Sequence, residues 1–253
     1  MRVISIGFAL VMGTAIPCHA AIIQATGTTS GNTSSDVAIL THSGSASDFY
    51  GGDESGAFMN YEGRDPIAKT DLIDNAAHLF LADVTDGRTL FVVYERPPAG
   101  TTTISADGAL ASNRGDFDAA DYLVRDAPVD THDVIGGSLV TQHEIPTTGF
   151  SDGYLAALDT KFHFFGDRLL FRVTSPTSTS SGLTSLVVYT GTDALGDPVW
   201  FELEAGDFSG GVTAELLIVP EPGSGVLALG VCALGVCALF VLPGRRRRSA
   251  DRQ

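Results

Sequence analysis

Cysteine is missing from most of this 253-residue chain. Its three cysteines, Cys18, Cys232 and Cys237, all fall in apolar segments near the two ends. Residues 21–218, called the body below, therefore have no disulfide, no cysteine nucleophile and no cysteine-ligated zinc. With about 200 residues, the body is long enough to be stabilised by one or two hydrophobic cores instead.

Basic residues are also scarce in the body. It carries 9 Lys and Arg against 28 Asp and Glu, which gives a net charge near −19. A surface of this charge repels nucleic acid and anionic lipid, and it keeps a protein soluble. We therefore expect no nucleic-acid partner for the body.

Local catalytic motifs are absent as well. The sequence has no Gly-x-Ser-x-Gly elbow, no His-Glu-x-x-His helix and no phosphate-binding loop. Two histidines have acidic neighbours, in His132-Asp133 and His143-Glu144, but adjacent strand residues point to opposite faces of a sheet. We predict that the protein is not an enzyme. A glycosidase-like hydrolase, with carboxylates brought together from distant positions, stays an alternative.

The N-terminus has the pattern of a secretory signal peptide. A single arginine precedes the uncharged apolar run Val3–Ile16, and small residues occupy the positions that a signal peptidase reads. We predict a signal peptide over residues 1–20, with cleavage between Ala20 and Ala21. Acylation of Cys18 is a weaker alternative, because Pro17 stands where lipoproteins carry a small residue.

The C-terminus, residues 219–253, combines a proline-rich motif, an apolar span and a basic cluster. The motif is Val219, Pro220, Glu221 and Pro222, the span covers residues 225–242, and the cluster is Arg245, Arg246, Arg247 and Arg248. About 18 to 20 helical residues match a hydrocarbon core of about 30 Å. Arginine clusters stay on the cytoplasmic side of the membrane. The tail therefore predicts one transmembrane helix, with the body on the other side.

This order of Pro220-Glu221-Pro222, apolar span and arginine cluster resembles the PEP-CTERM sorting signal of Gram-negative envelope proteins. The resemblance is confined to the tail. It implies that an exosortase-type sorting enzyme recognises the Pro-Glu-Pro element and cleaves near it. It also implies that the body is anchored transiently in the inner membrane, facing the periplasm, and then reaches the cell surface or the medium. Proteins with this signal often accompany exopolysaccharide and extracellular-matrix production.

Alternating apolar residues indicate that the body is mostly β-structure. Segments His78–Val84 and Thr89–Glu95 flank Asp86-Gly87, which predicts a hairpin with a type I′ turn. Both faces of this hairpin are apolar, so we expect it to be central. One face carries Leu79, Leu81, Leu90, Val92 and Tyr94, and the other carries Phe80, Phe91 and Val93.

Further strands follow along the chain. We predict a second hairpin over Lys161–Val173 with its turn at Gly166-Asp167, and strands at Leu183–Thr190, Pro198–Glu204 and Val212–Val219. After Asp65-Pro66, the sequence is compatible with a short helix or a strand. The predicted fold is all-β: an antiparallel β-sandwich ectodomain with one C-terminal transmembrane helix.

A run of aspartates is the candidate metal site of the sequence. Its members are Asp116, Asp118, Asp121, Asp126, Asp130 and Asp133. Dense carboxylates attract hard cations such as calcium, and Asp116, Asp118 and Asp121 are the predicted ligands. Their spacing does not match the EF-hand template, so solvated loop acids are the alternative. We expect no other cofactor.

Together these features predict an exported envelope or matrix protein. Its expected partners are a signal peptidase, an exosortase-type enzyme, the membrane through the C-terminal helix, and exopolysaccharide. The leading hypothesis for the body is a structural, non-enzymatic role in the matrix. A calcium-dependent carbohydrate-binding module is the first alternative, and a secreted hydrolase is the second.

Overall fold

The computed structural model describes residues 21–51, 61–95, 104–125, 130–145, 151–175 and 182–220. The body forms one compact unit, Ala21–Val219. Within the described residues, strands predominate and α-helix is limited to one short segment. The predicted all-β class is confirmed at this level.

The strands, in chain order, are β1 (Ala21–Gly27), β2 (Thr33–Ser34), β3 (Ile39–Thr41), β4 (Gly63–Arg64), β5 (Ile67–Ala68), β6 (Ala76–Val84), β7 (Gly87–Glu95), β8 (Ile104–Ser112), β9 (Tyr122–Arg125), β10 (Thr131–Ile135), β11 (Ser138–Ile145), β12 (Ser151–Ala157), β13 (Arg168–Thr174), β14 (Ser185–Thr192), β15 (Pro198–Ala205) and β16 (Val212–Pro220). The helix α1 is Ala46–Tyr50, and 3-10 turns lie at Lys69–Asp71, Ala119–Asp121 and Asp159–Lys161.

Two large sheets contain most of these strands. Sheet A has the order β10-β11-β8-β13-β16-β1-β2, and sheet B has the order β15-β14-β6-β7-β12-β9. Pairing is antiparallel except beside β6, where β14 and β3 pair in parallel with successive stretches of that strand. The small hairpin β4-β5 stands apart from both sheets. The body is therefore mainly antiparallel, with a mixed region around β6.

The main hydrophobic core is shared by the two sheets. Sheet A contributes Ile23, Leu110, Leu139, Phe171 and Leu216, and sheet B contributes Leu79, Leu81, Leu90, Val92 and Tyr154, among others. Burial of a side chain of this size stabilises the fold by about 1.5–3 kcal/mol. Two sheets that share a core through their facing sides are consistent with the predicted β-sandwich.

The outer face of sheet B is also buried. Its side chains Phe80, Phe91 and Val93 pack against α1 and the β4-β5 hairpin through Phe49, Tyr50, Tyr61 and Ile67. Helix α1 begins at a capping box in which Ser45 and Asp48 bond each other's backbone N–H groups, and it ends at Gly51 with a φ of 75°. This cover explains why the β6-β7 hairpin is apolar on both faces, as predicted.

The turn of the β6-β7 hairpin differs from the prediction. Val84 pairs with Gly87, so Thr85 and Asp86 form the turn. A type I′ turn needs a positive φ at both central residues, and neither Thr85 nor Asp86 has one, whereas Gly87 has a φ of 102°. The type I′ assignment was therefore wrong, because the glycine follows the turn instead of lying within it.

The second predicted hairpin is wrong. Strand β13 pairs with β8 and β16, and the residues before Gly166 form a 3-10 turn and a tight loop. The Asp167 carboxylate accepts the backbone N–H groups of His163 and Phe164, which bends the chain back on itself. The apolar residues of this loop imitate a strand pattern, but Phe164 is 61% exposed.

The other strand predictions hold. Strands β14, β15 and β16 lie where sequence places them, within one or two residues at each end. After Asp65-Pro66 the chain forms the short strand β5 and then a 3-10 turn, so no α-helix is present there. The described residues include no helix that is both long and apolar enough to cross a membrane. The predicted span, residues 225–242, lies outside them.

Candidate functional site

The predicted sorting and cleavage residues are only partly described. Ala21 is the first residue of β1, and Val219 and Pro220 are the last residues of β16. Ala20, Glu221, Pro222 and the four arginines Arg245, Arg246, Arg247 and Arg248 lie outside the described residues. Processing and anchoring by these residues therefore stay predictions.

The predicted calcium ligands have other partners. The Asp118 carboxylate accepts the N–H of Ala120, and Asp121 accepts both the N–H of Asp118 and the ammonium of Lys161, at 2.7–2.9 Å. Asp116 is exposed. Within the described part of the chain, these three carboxylates do not form a group with ligand atoms within 4.8 Å of one another.

A different group of side chains does have its ligand atoms within 4.8 Å of one another. One ligand atom each of Asp130, His143 and Asp152 lies within 4.8 Å of the other two. Their side chains are 0%, 0% and 6% exposed. Of the aspartate run, this cluster takes only Asp130, whereas Asp133 is exposed and Asp126 lies outside the described residues.

Three strands from both sheets place these side chains. His143 points inward from β11, in the same alternation as Leu139, Thr141 and Ile145. Asp130 immediately precedes β10, and its Oδ1 accepts the N–H of Glu144 at 3.1 Å. Asp152 belongs to β12 of sheet B. The cluster therefore lies in the space between the two sheets, at one end of the shared core.

Two carboxylates approach the same nitrogen of His143. Its Nδ1 lies 3.1 Å from Asp152 Oδ1 and 3.2 Å from Asp130 Oδ2. The contact with Asp152 has hydrogen-bond geometry, but Asp130 Oδ2 has no hydrogen-bond partner. Asp130 Oδ2 therefore has an ion-pair contact with His143 but no hydrogen bond, in a site closed to solvent.

The electrostatics of the cluster follow from burial and these two charges. Burial alone lowers the pKa of the His143 imidazole, but the charge of Asp152 and the contact with Asp130 outweigh it and raise the pKa to about 9. The ring is therefore an imidazolium at neutral pH.

Aromatic rings enclose the cluster. Tyr154 stacks on the His143 ring at 5.9 Å between centroids, and His132 and Tyr94 contact the same ring at 5.3 and 5.1 Å. Tyr122 anchors the edge of sheet A by donating its hydroxyl to the carbonyls of Asp133 and Val140. These rings exclude water and fix the orientation of the imidazole.

Several polar atoms of this enclosure are buried without a hydrogen bond. They include His143 Nε2 and the hydroxyls of Tyr94, Thr141 and Tyr154. Gly108 makes room for two of them, since a Cβ there would lie 2.6 Å from the Tyr94 hydroxyl and 2.7 Å from Thr141 Oγ1. Buried polar groups without a partner are rare in native proteins, and they indicate a ligand, an ion or water.

Sequence reasoning missed this cluster as a unit. It correctly separated His143 from Glu144, since His143 is buried and Glu144 is exposed. The partners of His143 come instead from Asp130, across the β10-β11 hairpin, and from Asp152 in the other sheet. The one available signal was a histidine within the inward-facing apolar alternation of β11.

Comparisons with known proteins add no relative. No protein-family model matches the chain. No curated protein matches it either. Functional inference therefore depends on the residues themselves.

Proposed function

We propose that the chain is an exported envelope or extracellular-matrix protein sorted through its C-terminal Pro-Glu-Pro signal by an exosortase-type enzyme. In this proposal, a β-sandwich ectodomain is held by one C-terminal transmembrane helix until the enzyme cleaves near Glu221. The support is the order of proline motif, uncharged span and arginine cluster in residues 219–253. Export by a signal peptidase acting between Ala20 and Ala21 precedes this step.

The single observation that favours this arrangement most is the junction between body and tail. The compact unit ends at Val219, and Pro220 is the last residue of β16. Proline has no N–H to donate to a sheet, so a strand commonly ends at such a residue. The rest of the motif, Glu221 and Pro222, follows Pro220 in the sequence. Cleavage after the motif would therefore release the body without removing any residue of its core.

For the body, we propose a structural role in the matrix, associated with exopolysaccharide and without enzymatic activity. Both faces of sheet B are buried, and the core extends from one sheet to the other. The buried carboxylates Asp130 and Asp152 are closed to a polymeric substrate, which disfavours the hydrolase alternative. A rigid acidic module that remains soluble at high local concentration suits a matrix.

The carbohydrate-binding alternative has one observation in its favour. Phe164 and Phe165 are 61% and 44% exposed in the loop before β13, and the Arg114 guanidinium lies 5.7 Å from the Phe164 ring centroid. Exposed aromatic rings of this kind often mark binding surfaces. This role does not require the aspartates Asp116, Asp118 and Asp121 to bind calcium.

The sorting proposal is tested with the full chain in a host that has an exosortase-type enzyme, and in the same host without it. Glu221→Ala and Pro222→Ala should block C-terminal processing, because they change the motif but leave every described strand intact. Intact-mass measurement of the mature protein and its retention in the envelope are the readouts. Glu62→Ala, at an exposed position of the body, is the matched control.

The control should be processed like the wild type. An identical mature C-terminus with and without the sorting enzyme would refute the proposal. So would normal processing of Glu221→Ala and Pro222→Ala.

A further inference from the structure

We propose that Asp130, His143 and Asp152 bind one divalent transition-metal ion of the zinc class, which joins the β10-β11 edge of sheet A to β12 of sheet B. The ligand atoms are His143 Nδ1, Asp130 Oδ2 and Asp152 Oδ1. This site is separate from the predicted calcium ligands. It does not depend on the sorting proposal.

The two known spacings lie close to those of a shared ion. Zinc binds histidine nitrogen and carboxylate oxygen at about 2.0–2.2 Å, so two such ligands at a tetrahedral angle lie about 3.3–3.5 Å apart. The Nδ1 atom of His143 lies 3.1 and 3.2 Å from the two carboxylate oxygens, and all three ligand atoms lie within 4.8 Å of one another. Small side-chain shifts would therefore admit the ion.

Hydrogen bonding alone leaves this site incomplete. The Nδ1 proton serves Asp152, and Asp130 Oδ2 is aimed at the same nitrogen with no hydrogen bond of its own. The Asp130 side chain has no exposed surface, so bulk water does not solvate that oxygen. An ion between the three atoms would bind Asp130 Oδ2 directly. This oxygen has an ion-pair contact with His143 but no hydrogen bond, and that separates the cluster from an ordinary buried His-Asp pair.

Charge balance favours a divalent ion. Metal ions are bound by carboxylates and by neutral imidazole. Two carboxylates, one neutral imidazole and one divalent ion make a neutral site, and a net charge in a closed site is costly.

The chemistry of the donors selects the class of ion. Calcium takes six to eight oxygen ligands, and a closed site with one nitrogen and two carboxylates cannot supply them. Imidazole together with carboxylate suits zinc and neighbouring first-row ions.

The test uses the full chain without a polyhistidine tag, extracted in detergent and stripped with chelator. Titration calorimetry with zinc chloride should give one ion per chain. Asp130→Asn combined with Asp152→Asn should weaken zinc binding by at least about 100-fold, because two ligands are lost. Asp133→Asn, at an exposed position on β10, is the control and should bind like the wild type.

Circular dichroism checks that the double variant folds, and Asp152→Asn alone replaces it if it does not. The proposal is overturned if the folded wild type retains no zinc after desalting, or if the carboxylate variants bind with wild-type affinity.

Discussion

Two buried carboxylate sites in this body differ in how well they are satisfied. Asp167, beside β13, accepts the N–H groups of His163 and Phe164 at 2.8 and 2.6 Å and pairs with the Arg114 guanidinium. Asp130 and Asp152, at the end of the core, share one histidine nitrogen. Both sites exclude solvent, but in the second site Asp130 Oδ2 has no hydrogen bond.

The difference separates a structural acid from a candidate ligand. A carboxylate that accepts hydrogen bonds from three donors, one of them cationic, stabilises its turn and requires no further ligand. Asp130 accepts the N–H of Glu144 through Oδ1, but its Oδ2 has no hydrogen bond, and a buried oxygen of this kind costs stability unless an ion or a proton binds it. Burial of an acidic residue is therefore a weak indicator of function until its donors have been counted.

Removal of the satisfied acid should give the largest effect. Asp167→Ala leaves two backbone N–H groups and Arg114 without their acceptor, so we expect a loss of about 3 kcal/mol in the free energy of unfolding. For a domain of this size, that corresponds to a fall in Tm of about 6–12 °C. Asp116→Ala, at an exposed position nearby, should change Tm by less than about 2 °C. Equal Tm values for the two variants would show that the donors of Asp167 do not lock the turn.

The same acid should make stability depend on pH. Burial alone raises the pKa of the Asp167 carboxyl, but Arg114 and the N–H groups of Phe164 and His163 outweigh it and hold the pKa below its ordinary value. A depressed folded-state pKa contributes stability above the unfolded value of about 3.9, and this contribution is lost as the pH falls through the folded value.

Asp167→Asn should therefore be less stable than the wild type by about 1–2 kcal/mol at pH 7, with the gap closing below about pH 4. Urea unfolding of both proteins at pH 7 and pH 3 measures the gap. A gap of the same size at both values would mean that the charge of Asp167 contributes nothing.

Calcium should give the smallest effect. Because Asp121 pairs with Lys161 and Asp118 caps a 3-10 turn, calcium would have to displace existing partners. We expect millimolar calcium to raise Tm by less than about 1 °C relative to chelator, since a shift needs preferential binding to the native state. Retention on immobilised exopolysaccharide should be insensitive to calcium as well.

A rise of several degrees that disappears in Asp116→Asn would contradict this expectation. It would support the calcium-dependent carbohydrate-binding module instead. Lys161→Met removes the ammonium group that pairs with Asp121. This variant would then be expected to strengthen calcium binding.

Much of the fold could be predicted from local pattern. Strands β6, β7, β14, β15 and β16 follow from alternation between turn residues, and even the assignment of Leu79 and Phe80 to opposite faces is correct. The predictions were wrong where one local sequence pattern is compatible with two different structures. The loop around Phe164 has the alternation of a strand, but the three donors of Asp167 stabilise a tight turn there.

The candidate site could not be predicted in the same way. Asp130 belonged to the run of six aspartates but was not among the predicted ligands, and Asp152 had no local feature to single it out. Their convergence on His143 depends on the β10-β11 register and on the packing of sheet A against sheet B, which involve residues far apart in the chain. A single sequence does not specify such pairings, because each strand has several apolar partners available.

The sequence alone determined the features that are linear in the chain: its all-β class, the positions of most strands, the acidic body without thiols, and the order of motif, span and arginines in the tail. These depend on composition and short periodicity, which neighbouring residues set. Tertiary structure decided which side chains meet. The β10-β11 pairing brought Asp130 to His143 Nδ1, and the packing of the two sheets brought Asp152 to the same nitrogen. The hydrogen bonds around each buried acid then separated the Asp167 turn from the site at His143.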